Sequence, residues 1–263
     1  MVERRVVAGA AIFTAFVAAA TMMINASIPA TTGYFNVGEI MVYTAALLMG
    51  PYVGAFAGGV GSMISDLSLG FPQFAPGTLV IKAGEGFIVG YLGNLALKGF
   101  TVTNWRVISL LLGVVTAFLV ASVGSTFYSG DFQLAIGAPP YTPQANITFS
   151  VPPLFWVGLA VAVFAGIVLV GVRIEQRVGW LALSILIGGS EMVIGYFLYE
   201  TLILGNTAAS VEIPFNVMQA VVGLIVALPL VRSVQRIMSH REEQLVSSSS
   251  LELGSVDHPN RQS

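Results

Sequence analysis

Long runs of apolar residues, separated by short stretches of proline, glycine and polar side chains, dominate this sequence. A helix needs about 20 apolar residues to cross the roughly 30 Å hydrocarbon core of a bilayer, and most of these runs reach that length. The pattern therefore predicts a chain that crosses the membrane repeatedly as helices. The predicted spans cover residues 6–28, 37–50, 51–69, 76–97, 107–127, 153–172, 180–203 and 213–232.

Two points about these spans leave alternatives open. The spans over 37–50 and 51–69 are short and meet at Gly50-Pro51, so they could instead form one broken element. The first span follows two arginines, as the apolar region of a cleaved signal peptide would, but it is longer than such a region. We expect it to be retained as a span.

The composition agrees with a membrane bundle. Of 263 residues, 56% are hydrophobic and only 9% are charged, whereas a soluble domain carries about 25% charged residues. So few charges cannot cover a surface that faces water, and the predicted fold class is an all-α integral membrane bundle of about eight transmembrane segments. The absence of cysteine excludes disulfides and thiolate metal sites. The few basic residues are dispersed, which argues against a nucleic-acid partner.

The distribution of basic residues predicts the orientation in the membrane. With eight spans and the N-terminus inside, every Lys and Arg except one intramembrane lysine falls on one side. The positive-inside rule assigns that side to the cytoplasm, so both termini are expected there and the chain in the plasma membrane. The residues on this side are Arg4, Arg5, Lys98, Arg106, Arg173, Arg177, Arg232, Arg236, Arg241 and Arg261.

Three ionisable residues fall inside predicted spans. Lys82 and Glu85 lie one helical turn apart, and Glu191 is near the middle of the span over 180–203. Each costs at least about 2.5–3.5 kcal/mol on insertion scales unless it is paired or wetted. They could form a structural Lys82–Glu85 pair between helices, or line a polar cavity that binds a substrate. We favour the cavity, because three charges at one depth exceed what packing requires.

A second set of polar residues lies near the predicted outer face and indicates a pocket that opens to the outside. Asp66 extends a stripe of small residues that starts at Gly54 with four-residue spacing, so it should point inward, although a solvated helix end explains it equally well. Asn216 could equally be a helix-start residue. The set comprises Asn36, Glu39, Asp66, Tyr196, Glu200, Asn216 and Gln219.

The first span carries a stripe of alanines, Ala11, Ala15 and Ala19. Small residues at this spacing form close-contact surfaces for other helices. The alternative is that alanine is simply abundant in this span.

No motif for catalysis is present in the sequence. It contains no P-loop and no H-E-x-x-H motif, and both histidines, His240 and His258, lie in or next to the polar C-terminal tail. We therefore predict no enzymatic activity, no metal site and no covalently bound cofactor. An intramembrane hydrolase that uses Glu85 and Glu191 is the enzymatic alternative.

Three stretches, about half of the chain, resemble the substrate-binding (S) components of energy-coupling factor (ECF) vitamin transporters, especially the riboflavin-type group. The long first stretch is the most specific. The stretches are Tyr34-Phe35-Asn36-Val37-Gly38-Glu39-Ile40 with 45–51, 58–62 and Asp66-Leu67; residues 74–82 with Glu85-Gly86; and residues 195–200 with 213–216 and Gln219.

This resemblance implies uptake without intrinsic ATP hydrolysis. An S component captures a vitamin near the outer face and docks on a transmembrane coupling subunit that carries two ATPase subunits. The loop after the first helix lies over the site, so Tyr34 or Phe35 would contact the ligand as part of a lid. The alanines at 11, 15 and 19 resemble the surface that meets the coupling subunit. Riboflavin is the ligand that the resemblance implies, and no individual residue requires it.

The sequence departs from the family by an insertion. S components have six helices, whereas residues 105–175 add two spans and an outside loop at 128–152. The expected organisation is a core over 1–104 and 176–241, this inserted hairpin, and a disordered cytoplasmic tail over 242–263. The alternative function is a membrane scaffold or partner-binding protein whose buried charges are structural.

Overall fold

Helices form most of the part of the chain that the computed structural model describes, which is residues 2–28, 33–97, 105–136, 145–173 and 175–256. These residues contain eight α-helices, two β-hairpins and one short 3-10 helix. The elements are α1 (Val2–Met23), β1 (Asn25–Ile28), β2 (Gly33–Asn36), α2 (Glu39–Met49), α3 (Pro51–Leu69), α4 (Ala75–Leu97), α5 (Trp105–Phe127), β3 (Gly130–Ile136), β4 (Ala145–Val151), α6 (Pro153–Arg173), α7 (Gln176–Leu202), the 3-10 helix Ala209–Val211 and α8 (Ile213–Val256).

Five helical segments among the described residues are long and apolar enough to cross a membrane. Helix α2 is apolar but has only 11 residues, and α3 and α4, which carry buried charges and many glycines, fall outside this group. The predicted helical membrane bundle is therefore confirmed at this coarser level. The five segments are Val6–Met23, Trp105–Phe127, Pro153–Arg173, Gln176–Leu202 and Ala209–Arg241.

The chain divides into two compact units. The first comprises Met1–Phe100 and Trp180–Ser263, and the second Thr101–Gly179. In the first unit α3 packs on α1 and α4, and α2 packs on α3, α4 and α8. In the second unit α5 packs on α6, with Gly124 against the ring of Trp156.

Glycines allow the backbones of α3 and α4 to approach closely. A Cβ atom at Gly54 would lie 2.7 Å from the carbonyl oxygen of Gly86, and one at Gly58 would lie 2.7 Å from that of Lys82. Side chains larger than hydrogen would push the helices apart. The stripe that starts at Gly54 thus packs on α4, and Asp66 at its end is buried.

The break at Gly50 separates α2 from α3. Gly50 has φ 88°, a conformation that side chains other than glycine rarely adopt. The two helices fold back on each other, because a Cβ atom at Gly54 would lie 2.7 Å from Cα of Ala46.

Two antiparallel hairpins between helices were not among the predicted elements. The first predicted span was to reach residue 28, but α1 ends at Met23, and β1 pairs with β2 so that Asn25 lies opposite Asn36. Polar Asn25 and Ser27 interrupt the apolar run, which favours a half-polar strand over a lipid-facing helix. In the second hairpin β3 pairs with β4.

Helix α8 extends beyond its predicted end at residue 232 and continues to Val256, although a disordered tail was predicted from residue 242. Glu, Gln and Leu after position 241 are good helix formers, and adding residues to an existing helix avoids the cost of nucleation. The rest of the predicted tail, 257–263, lies outside the described residues.

Candidate substrate-binding site

One cavity of about 30 Å³ in the first unit is surrounded by polar side chains. This volume has room for only a few water molecules. Residues from α1, β2, α3, α4, α7 and α8 line it, together with Phe74 just before α4 and Glu212 just before α8. The lining residues are Thr21, Gly33, Tyr34, Asn36, Ser62, Asp66, Phe74, Thr78, Lys82, Tyr196, Glu212, Asn216 and Gln219.

Lys82 is the centre of a buried ion network. Its Nζ donates hydrogen bonds to the carboxylate of Glu39 on α2 and, at 3.0 Å, to Oε2 of Glu85. Tyr43 donates a hydrogen bond of 2.8 Å to Oε1 of Glu85. Glu39 and Glu85 contact Lys82 but do not line the cavity, so they hold the lysine in place from behind.

Tyr34 connects β2 to the cavity wall. Its hydroxyl donates a hydrogen bond of 2.6 Å to Oδ1 of Asp66, and its ring stacks on Phe71 with the centroids 4.7 Å apart. Burial, and then the neighbouring charge and hydrogen bond of Asp66, raise the pKa of Tyr34 well above its usual range. The phenol therefore stays protonated and remains a donor to Asp66.

A chain of amides joins β2 to α8 on another wall of the cavity. The backbone N–H of Asn36 donates to Oε1 of Gln219 at 3.3 Å, and Nε2 of Gln219 donates to Oδ1 of Asn216 at 2.8 Å. Asn216 and Gln219 are both buried. The structure thus positions Asn216 as part of a side-chain network in the cavity wall.

Some buried polar atoms around the cavity have no hydrogen-bond partner among the described residues. They include Oγ1 of Thr21 and Oδ2 of Asp66, which belong to lining residues, and Oε2 of Glu39 behind Lys82. A buried polar atom without a partner is energetically costly. The cavity wall can therefore accept hydrogen bonds from a bound molecule.

Residues 2–138 match the protein family described as "ECF-type riboflavin transporter, S component", which is more than half of the chain. The chain belongs to this family. The resemblance noted in the sequence is thereby confirmed. Members are transporter components and generally not enzymes, and they generally work with a coupling subunit and ATPases. With its apolar helices, this S component is a multi-pass membrane protein.

Two relatives are similar to parts of this S component. A Pyrococcus woesei protein described as "Uncharacterized protein in gap 3'region" is 46% identical over 104 residues, which is 40% of this chain and 64% of that protein. "Thiamine precursor transporter HmpT" from Lactococcus lactis subsp. cremoris (strain MG1363) is 26% identical over 129 residues, 49% of this chain and 68% of that protein. The chain thus spans about two thirds of the length of these relatives.

Seven of the predicted binding residues of this S component meet in the cavity wall: Tyr34, Asn36, Asp66, Lys82, Tyr196, Asn216 and Gln219. Tyr196 donates a hydrogen bond of 3.0 Å to Oγ1 of Thr78.

The other predicted binding residues, Phe35, Glu39, Glu85, Glu191 and Glu200, do not line the cavity. Glu191 lies next to Gly84 on α4, where Oε2 has no partner among the described residues. Glu200 accepts a hydrogen bond of 2.9 Å from Asn206 and contacts Glu212, so it stands behind the wall.

Sequence reasoning did not select several lining residues, among them Thr21 and Glu212. Thr21 is a polar residue near the end of the apolar first span, and Glu212 precedes Pro214, so a search for isolated polar residues at span ends would have found both. A Cβ atom at Gly33 would meet the Glu212 carboxylate, so glycine allows β2 to approach it.

The alanine stripe lies on the surface of the S component. Ala11, Ala15 and Ala19 are all exposed on α1, while Val17 and Ala18 on another face of the helix are buried. The stripe is therefore accessible to another helix, and its role as the coupling-subunit contact stays a prediction.

Among the described residues, no group of three or more His, Asp or Glu side chains could hold a metal ion.

Proposed function

We propose that this chain is the substrate-capture subunit of an ECF-type importer. It binds one vitamin or related small polar molecule in the cavity between β2, α3, α4, α7 and α8, and the cavity faces the outside. Both termini lie in the cytoplasm, where the Lys and Arg residues of the positive-inside pattern are collected. The observation that supports this most is the convergence of polar side chains from distant parts of the chain on one buried cavity.

The cavity has to enlarge before it can hold such a ligand. Small-molecule sites usually measure about 300–1,000 Å³, whereas this cavity has about 30 Å³. Strand β2 is the element to move, because the Tyr34–Asp66 and Asn36–Gln219 hydrogen bonds join it to α3 and α8. Tyr34 and Phe35 then act as the lid, and Tyr34 closes over the ligand.

The energy for transport comes from partner proteins. The chain contains no P-loop, so a coupling subunit with two ATPase subunits has to drive release to the inside. The exposed stripe of Ala11, Ala15 and Ala19 gives α1 a flat surface on which a helix of the coupling subunit can pack closely.

Two ligand classes follow from the comparisons. The family description names riboflavin, and a relative's name refers to a thiamine precursor. Both are planar nitrogen heterocycles, which suits a wall that contains Tyr34, Phe74 and Tyr196.

Mass spectrometry of the protein, purified in mild detergent, tests this function. The expected result is one small molecule per chain that is retained during purification or taken up from a panel of vitamins and their precursors. If no member of the panel binds or raises thermal stability, the alternative of a scaffold with purely structural buried charges is correct.

A further inference from the structure

Asp66 has no positively charged partner among the described residues. The residue is 2% exposed, and its hydrogen bonds come from two neutral hydroxyl groups, that of Tyr34, which donates to Oδ1, and that of Thr78. Oδ2 has no hydrogen-bond partner among the described residues, and both salt bridges found there belong to Lys82. A buried carboxylate that has no cationic partner, and one oxygen atom without a hydrogen bond, is unfavourable in an apolar protein interior.

The lysine in the same wall is already neutralised. Lys82 forms salt bridges with both Glu39 and Glu85, so its positive charge is already compensated by these two carboxylates and does not balance that of Asp66. Glu212, also in the wall, contacts a further carboxyl group, that of Glu200. Carboxyl groups therefore outnumber basic groups around the cavity, and the local electrostatic potential favours a positively charged ligand.

A second buried oxygen supports the same conclusion. Oγ1 of Thr21 lines the cavity from α1, is 1% exposed as a residue, and has no partner among the described residues. Oγ1 of Thr21 and Oδ2 of Asp66 are thus two oxygen atoms that can accept hydrogen bonds from a donor group on the ligand. Burial without such a donor leaves both atoms unsatisfied.

Aromatic rings in the cavity wall favour a planar ligand. Tyr34, Phe74 and Tyr196 line the cavity, and Nζ of Lys82 lies 5.6 Å from the centroid of the Tyr196 ring. Aromatic faces attract cations and stack on planar rings.

We propose that the cavity selects a planar heterocycle that presents an amino group or a positively charged nitrogen to Asp66, in preference to a neutral flavin. This inference rests on the proposed function and narrows its ligand class. The donor satisfies Oδ2 of Asp66, and the Tyr34 hydroxyl keeps Oδ1 occupied.

The test compares thiamine with oxythiamine, in which an oxo group replaces the amino group, and with riboflavin. Calorimetric titration of the purified full-length protein gives the three dissociation constants. Thiamine is expected to bind about tenfold to a hundredfold more tightly than oxythiamine, which is the range for a hydrogen bond to a charged group. In Asp66→Asn the ratio should fall to near one, and in the control Asp131→Asn, an exposed aspartate, it should not change.

The ratio separates recognition from misfolding, because a variant that fails to fold loses both ligands together. Equal affinities in the wild type, tighter binding of riboflavin, a ratio unaffected by Asp66→Asn, or no binding of thiamine would each overturn the inference. The proposed function survives these results as long as another vitamin from the broader panel binds.

Discussion

At the scale of single residues, the Lys82 network shows which contacts can be predicted from spacing along the chain and which cannot. The pairing of Lys82 with Glu85 was predictable, because residues three apart share a helix face. Glu39 and Tyr43 join the pair from α2, and no spacing within one helix reveals that they meet it. Glu85 thus pairs with Lys82 behind the cavity wall, whereas Lys82 also lines the cavity, and its role in binding a substrate stays a prediction.

Removal of Lys82 should strongly destabilise the protein. Lys82→Met leaves Glu39 and Glu85 buried without a counter-charge, which costs about 3–5 kcal/mol. The midpoint of thermal unfolding in detergent should fall by about 10 °C. The combination with Glu39→Gln and Glu85→Gln should restore most of the loss.

The control for this experiment is Arg173→Met, which removes an exposed basic residue and should leave the midpoint unchanged. An unaltered midpoint in Lys82→Met would show that the network does not stabilise the fold.

At the scale of elements, the helices were predictable and the strands were not. Apolar runs identified all eight α-helices found among the described residues, because lipid-facing helices must be apolar along their length. Strand β1 was absorbed into the first predicted span and β2 fell between two predicted spans, since four-residue strands are too short to show an alternating pattern. In β3, Phe132, Leu134 and Ile136 alternate with other residues, a signal of period two that helix-length windows average out.

Close contact between α3 and α4 should depend on glycine. A Cβ atom in Gly86→Ala would meet the backbone carbonyl of Gly54, which cannot move aside as a side chain can. We expect a loss of about 1–3 kcal/mol in stability, the usual cost of overpacking. Thermal unfolding measures it, with Gly166→Ala as the control, because no atom lies near a Cβ built there. Equal stability of the two variants would contradict the close approach.

At the scale of the whole molecule, the site depends on distant parts of the chain. Tyr34 and Gln219 line the same cavity although 184 residues separate them, so only the folded chain brings them together. The sequence could indicate which polar residues occur at similar depth in the membrane. It could not distinguish the wall from the layer behind it, which is where Glu85 and Glu200 lie.

Transport should be separable from binding. Ala11→Trp combined with Ala15→Trp places bulk on the exposed stripe of α1, far enough from the cavity wall to spare ligand binding. Uptake of labelled ligand by cells should be abolished, while the dissociation constant of the purified protein stays within about twofold of the wild type.

The control for transport is Ile12→Trp, because Ile12 is 52% exposed on an adjacent face of the same helix. Normal uptake by the variant that combines Ala11→Trp with Ala15→Trp would show that the alanine stripe is not part of the docking surface.

The most direct test of the account is whether filling the cavity abolishes ligand binding. Ser62 lines the cavity, whereas Ser68 is exposed on the same helix, so Ser62→Phe and Ser68→Phe make the same chemical change at two positions. Calorimetric titration with the ligand identified by mass spectrometry should give one site per chain in the wild type and in Ser68→Phe, and no measurable binding in a folded Ser62→Phe. Wild-type affinity in Ser62→Phe would show that the ligand binds elsewhere.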